Sequence, residues 1–244
     1  MIAFLTSSPG GREWIENEIQ ITALDERNGF KSRLASYWKA QANGLFVSAA
    51  PEEQELNICM RDQLAQSFEL SGLSVGRFDI CDSCSKELVY KLEEYDFIVL
   101  SGGHVPTQNA FFQKIPLKKA LKSYDGIVIG ISAGTMNSAE TVYAQPELEG
   151  ESTDQRYQRF LNGLSITDTM ILPHYQAVKD EILDGKRLME EITYPDSYGR
   201  RFYAIPDGSY LLVENGIQTL FGEAWLISDG EIRQVCREGQ SLNL

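Results

Sequence analysis

A serine hydroxyl attacks a carbonyl only when a neighbouring base takes its proton. In this 244-residue chain two histidines, His104 and His174, are the imidazoles available for that task. One serine stands out by its setting. The run Val128-Ile129-Gly130-Ile131-Ser132-Ala133-Gly134 carries a β-branched strand, Gly126 to Ile131, into G-I-S-A-G and then into small residues that open a helix. In that strand–turn–helix context a strained turn lifts a serine hydroxyl clear of a sheet. Side chains at 130 and 134 would collide with the turn or with strand-on-helix packing, which accounts for the two glycines. Ser132 is the candidate nucleophile.

His174 closes the apolar segment Met170-Ile171-Leu172-Pro173. This delivers it to the C-terminal edge of a strand, where open α/β sheets place their ligands. It is the candidate base. His104 is the rival, lying after Ser101-Gly102-Gly103 between a strand, Asp96 to Leu100, and a helical stretch, Gln108 to Leu121. A Gly-Gly turn after a strand exposes consecutive N–H groups, suited to an oxyanion hole or a phosphate cradle. The run is neither G-x-G-x-x-G nor a Walker loop, so the oxyanion reading is preferred, with Gly103 supplying one N–H and Ala133 the other. A third group should orient the imidazole. Asp207, between apolar strands Phe202 to Ile205 and Tyr210 to Val213, stands at a strand end as His174 does. Pro-Asp-Gly is equally a common turn, and Asp154, Asp168 and Asp180 remain rivals.

The combination of Gly102-Gly103 after a strand, G-I-S-A-G, Pro173-His174-Tyr175 and Pro206-Asp207-Gly208 resembles the dipeptidase E family of serine peptidases, over roughly residues 45 to 230. That resemblance implies a flavodoxin-like sheet shared with cyanophycinase and class I glutamine amidotransferases. It also implies a triad in the chain order serine, histidine, acid, with Ser132, His174 and Asp207 in those roles. Asp207 stands where dipeptidase E itself has a glutamate. The order argues against a standard α/β-hydrolase, in which the acid precedes the histidine. Amidotransferases carry a cysteine at the elbow, whereas Cys59, Cys81, Cys84 and Cys236 all lie elsewhere. The implied substrate is a dipeptide with N-terminal aspartate, cleaved through an acyl-enzyme. A cation must then meet the substrate carboxylate, with Arg156, Arg159, Arg200 and Arg201 as candidates. Cyanophycin-like β-Asp-Arg units are an alternative substrate, and a non-catalytic binding module is an alternative role.

The elements that must position these residues follow an α/β rhythm. Strands are expected at Ile2 to Leu5, Gly44 to Ala49, Leu73 to Ile80, Asp96 to Leu100 and Gly126 to Ile131, with helices at Glu52 to Ser71, Cys84 to Glu93 and Gln108 to Leu121. This predicts right-handed βαβ units, a mostly parallel sheet with helices on both faces, and a single α/β domain over 1–244. Turn signals at Glu214-Asn215-Gly216-Ile217 and Ser228-Asp229-Gly230-Glu231 predict a C-terminal antiparallel extension of the sheet edge. Trp14 to Lys39 reads as helices broken at Asn28-Gly29, with Trp14, Tyr37 and Trp38 as core or interface anchors. The polar stretch Gln145 to Arg159 reads as a loop that borders the site.

A net charge of −13 disfavours nucleic acid or an anionic membrane as partner. Cys81 and Cys84 form a C-x-x-C without a second pair or histidines at ligand spacing, so free thiols are expected and neither metal nor cofactor is implied. Few cysteines, no basic leader pattern at the N-terminal strand and no long apolar run point to the cytoplasm. The partner expected is a small peptide; the number of subunits is open.

Overall fold

A computed structural model describes residues 1–15 and 18–244. Its centre is an eight-stranded sheet in the spatial order Ser241–Asn243, Ile217–Phe221, Tyr210–Glu214, Ile2–Thr6, Ile127–Ile131, Phe97–Leu100, Ala42–Val47, Val75–Cys81. From Ile2–Thr6 to Val75–Cys81 every pairing is parallel. Across the other flank of Ile2–Thr6 the pairings are antiparallel. Phe97–Leu100 is buried at every position, as expected of a short apolar strand covered on both faces.

Strand alternation sorts the core into two layers. Ala3, Leu5, Ile98, Leu100 and Val128 meet the helices Val105–Lys114 and Leu117–Leu121 and a 3₁₀ segment, Lys86–Glu94. Phe4, Phe46, Phe97, Val99 and Ile129 meet Phe30–Ala35 and the long helix Gln54–Leu70 on the opposite face. Pro116 caps Leu117–Leu121 and divides the stretch expected as one helix, because its ring cannot continue the preceding hydrogen-bond ladder.

Two expectations are corrected. The segment after Trp14 is not helical: Gly10–Ile15 and Glu18–Leu24 form an antiparallel hairpin packed on Gln54–Leu70. The alternation Ile19-Gln20-Ile21-Thr22 has the period of a strand, and that local pattern prevails over the charge-rich composition. The α-helix begins at Phe30, after a short 3₁₀ turn at Arg27–Gly29. Trp38 does anchor core, its ring centroid 4.5 Å from that of Phe97, while Tyr37 is exposed and donates to Glu214. The side chain of Trp14 lies outside the described residues.

The C-terminal part does not simply lengthen the central sheet. Tyr210–Glu214 and Ile217–Phe221 do so, joined by the first turn signal. The second signal instead joins Ala224–Ser228 to Glu231–Cys236 in a separate four-stranded sheet with Arg201–Ala204 and Met170–Leu172. Only the pairing of Met170–Leu172 with Arg201–Ala204 is parallel there. Among the described residues, no helix is long and apolar enough to cross a membrane.

Candidate active site

Four strand ends converge on one point. Ile131 is paired with Thr6, so the residues that follow, Ser132 and Ser7, emerge side by side. Leu172 is paired in parallel with Ala204, and the ladder continues through Ile205 N–H to Leu172 O and Tyr175 N–H to Ile205 O. His174 and Asp207 therefore leave neighbouring strands in the same direction. Thr6 is also paired with Tyr210, and Ser7 N–H donates to Ser209 O, which closes the second sheet's turn onto the first.

Ser132 sits at φ 50°, ψ −109°, a region that non-glycine residues visit only when the surroundings enforce it. Its N–H donates to Thr6 O, and its carbonyl accepts from Met136 N–H in the helix Ala133–Asn137. Glycine is required at 134, where a Cβ would run into the backbone carbonyl of Leu100. The elbow is thus held by strand pairing beneath it and helix packing behind it.

The hydroxyl of Ser132 lies 2.9 Å from His174 Nε2, and His174 Nδ1 lies 2.8 Å from Asp207 Oδ1. Ser7, which the sequence did not single out, donates its hydroxyl to the same Asp207 oxygen at 2.6 Å. The same Ser7 oxygen accepts the backbone N–H of His174 at 2.8 Å, fixing that residue at φ 56°. Burial works against a charge on Asp207. Hydrogen bonds from His174 and Ser7 outweigh it and hold the carboxyl below its ordinary range. Asp207 therefore stays an anion, able to fix Nδ1–H and leave Nε2 free to accept the serine proton.

Asp154, Asp168 and Asp180 stand elsewhere, partnered by Arg156, Gln218 and Lys179 respectively. His104 is tied up: Nδ1 meets Thr107 at 2.7 Å and Nε2 meets Glu151 at 2.8 Å. Glu147 accepts the N–H of Val105. The stretch 145–159 thus grips the residues just after the Gly-Gly turn. That turn lies against the elbow, since a Cβ on Gly102 would stand 3.5 Å from Ser132 Cβ. Gly103 has φ 152°, and a Cβ there would press on Ala49 at 2.7 Å.

Ser132, His174, Gly102 and Gly103 line one cavity of about 460 Å³. Its far walls are the helix Gln54–Leu70 and the start of the hairpin. None of Arg156, Arg159, Arg200 and Arg201 lines it; among the described residues Arg12, on the first hairpin strand, is the lining guanidinium. Arg156 pairs with Asp154 and Arg159 with Asp196, while Arg200 stacks over Phe160. Arg12 was hidden because its place depends on the hairpin. The four cysteines are free, and burial pushes the Cys81 thiol up to about 12.

A sheet edge presenting serine, imidazole and carboxylate in line is the architecture of a mixed α/β serine-type peptidase. The chain belongs to peptidase family S51, the family of dipeptidase E, whose model matches residues 30–220. No curated protein sequence matches the chain. It is similar in fold to a peptidase from an acI-B1 Actinobacterium, at TM-score 0.66 and 18% identity, covering 100% of this chain and 96% of that one. It is also similar to a putative peptidase E protein from Listeria monocytogenes EGD-e, at TM-score 0.53 and 18% identity, covering 96% and 98%.

Proposed function

We propose that this serine peptidase cleaves small peptides through a Ser132–His174–Asp207 triad and an acyl-enzyme, with dipeptides carrying N-terminal aspartate as its preferred substrates. One observation carries the reading: the unbroken line of 2.9 and 2.8 Å contacts from hydroxyl to imidazole to carboxylate. Ser132 Oγ adds to the carbonyl carbon while its proton passes to His174 Nε2. The tetrahedral oxyanion is met by the N–H groups of Gly103 and Ala133. Collapse expels the amine, which takes the proton from Nε2, and water then releases the acyl group by the same route in reverse. Asp207 holds the imidazole through Nδ1–H and stabilises its cation. Loss of one oxyanion donor from such a site costs about 3–4 kcal/mol of transition-state stabilisation.

The aspartyl preference rests on the resemblance to dipeptidase E and on Arg12, a guanidinium in the cavity of a chain with net charge −13. The free cysteines favour a cytoplasmic setting. A fluorophosphonate probe followed by mass mapping tests the mechanism. Labelling at Ser132 alone, abolished in His174→Ala, is expected; folded protein that takes up no label would instead be a binding module. A panel of Asp-X, β-Asp-Arg and simple ester substrates tests the substrate. Turnover of β-Asp-Arg above Asp-X would move the assignment to cyanophycin-like amides.

A further inference from the structure

The cavity that holds Ser132 extends well beyond the reacting groups, and its outer part is greasy. Phe46 and Ile131 form one side, and Leu56, Met60 and Leu64 come from the helix Gln54–Leu70 opposite. The hairpin strand Gly10–Ile15 closes the third side and brings Arg12. At about 460 Å³ the space falls in the range of small-ligand sites and is wide enough for both residues of a short peptide. Leu56 is 48% exposed where it lines this cavity, so apolar surface there stays wet until a ligand covers it.

The two kinds of wall sort the two kinds of side chain. A carboxylate set against Phe46, Met60 and Leu64 would lose its hydration without a partner, whereas one near Arg12 would keep its charge matched. We infer that the wall of Leu56, Met60 and Leu64 is a specificity subsite for a large apolar side chain on the residue released as the leaving amine, so that the preferred substrates are Asp-Leu and Asp-Phe types. This inference rests on the peptidase reading above for which residue is acylated. Glycine or alanine in the same place leaves the apolar wall uncovered and forfeits the burial that favours binding.

The Ser132→Ala protein is expected to bind without turnover, which separates recognition from chemistry. Calorimetric titration with Asp-Gly, Asp-Ala, Asp-Leu and Asp-Phe is expected to rank the last two at least about tenfold tighter than Asp-Gly, the gain from burying one such side chain. Leu56→Asn with Met60→Gln, near-isosteric changes at positions that are not fully buried, should bring Asp-Leu to within about threefold of Asp-Gly. Equal affinities across the series overturn the inference, as does a preference that survives the double substitution or a failure of all four to bind. The ranking seen in Ser132→Ala, with no hydrolysis by the wild-type protein, would support the subsite and sink the peptidase mechanism. The two ideas therefore fail separately.

Discussion

The cleft has two sides built on different principles. On one side Ser132, Ser7, His174 and Asp207 are set by strand pairing, each within a few residues of a ladder hydrogen bond. On the other side Arg12, Leu56, Met60 and Leu64 hang on a hairpin and the helix it packs against. In the proposed reaction the first side fixes where atoms react, and the second decides what fills the space. A scaffold divided this way can keep its reacting groups unchanged while a single appended hairpin alters what it accepts.

Substitutions should respect that division. Ser132→Ala and His174→Ala are each expected to lower kcat by about 10⁶, and Asp207→Asn by about 10⁴, with little change in KM. A change confined to KM would place the chemistry elsewhere. Ser7→Ala removes a donor to Asp207 and the acceptor for the His174 N–H; the expected loss is roughly 10- to 100-fold in kcat, read from steady-state kinetics. An unchanged kcat would make Ser7 a spectator. Arg12→Gln, on the opposite wall, should raise KM for Asp-X about tenfold and spare kcat, with the effect fading as salt rises. Should kcat drop as far as in Ser7→Ala, the two walls would not be functionally separate.

The smallest effect concerns acid stability. A carboxyl held below its usual value in the folded state contributes stability that is complete above about pH 4. That contribution drains away as pH falls through the depressed value. Urea midpoints between about pH 5 and 2 should therefore fall more steeply for the wild-type protein than for Asp207→Asn. Parallel curves would mean that the folded state does not hold this carboxyl as an anion.

What could be read from the sequence was local. Ser132 stands out as a candidate because elbow chemistry is written within five consecutive residues, and His174 because it follows a short apolar strand; Asp207, equally readable as a turn residue, is singled out by the resemblance to dipeptidase E. The parallel strands were legible for the same reason. Ser7 was not, since its partners lie 167 and 200 positions away and nothing in Thr6-Ser7-Ser8 distinguishes it. The hairpin is not legible as such because tryptophan and charges mask a brief alternation whose meaning depends on the helix beneath. Arg12 is illegible with the hairpin, and Arg156, Arg159, Arg200 and Arg201 lie outside the cavity. The second sheet was missed because a turn signal specifies a hairpin and not the sheet it joins.

Thr6 accepts the elbow's N–H, and Ser7 bridges the turn around Asp207. The opening strand of the chain is therefore the keel on which groups synthesised much later come to rest. A nascent polypeptide still lacking residues near 210 has no partner for that strand's antiparallel flank and no carboxylate for the imidazole. The line of contacts from Ser132 through His174 to Asp207 is therefore complete only once the segment near residue 210 has paired with Ile2–Thr6.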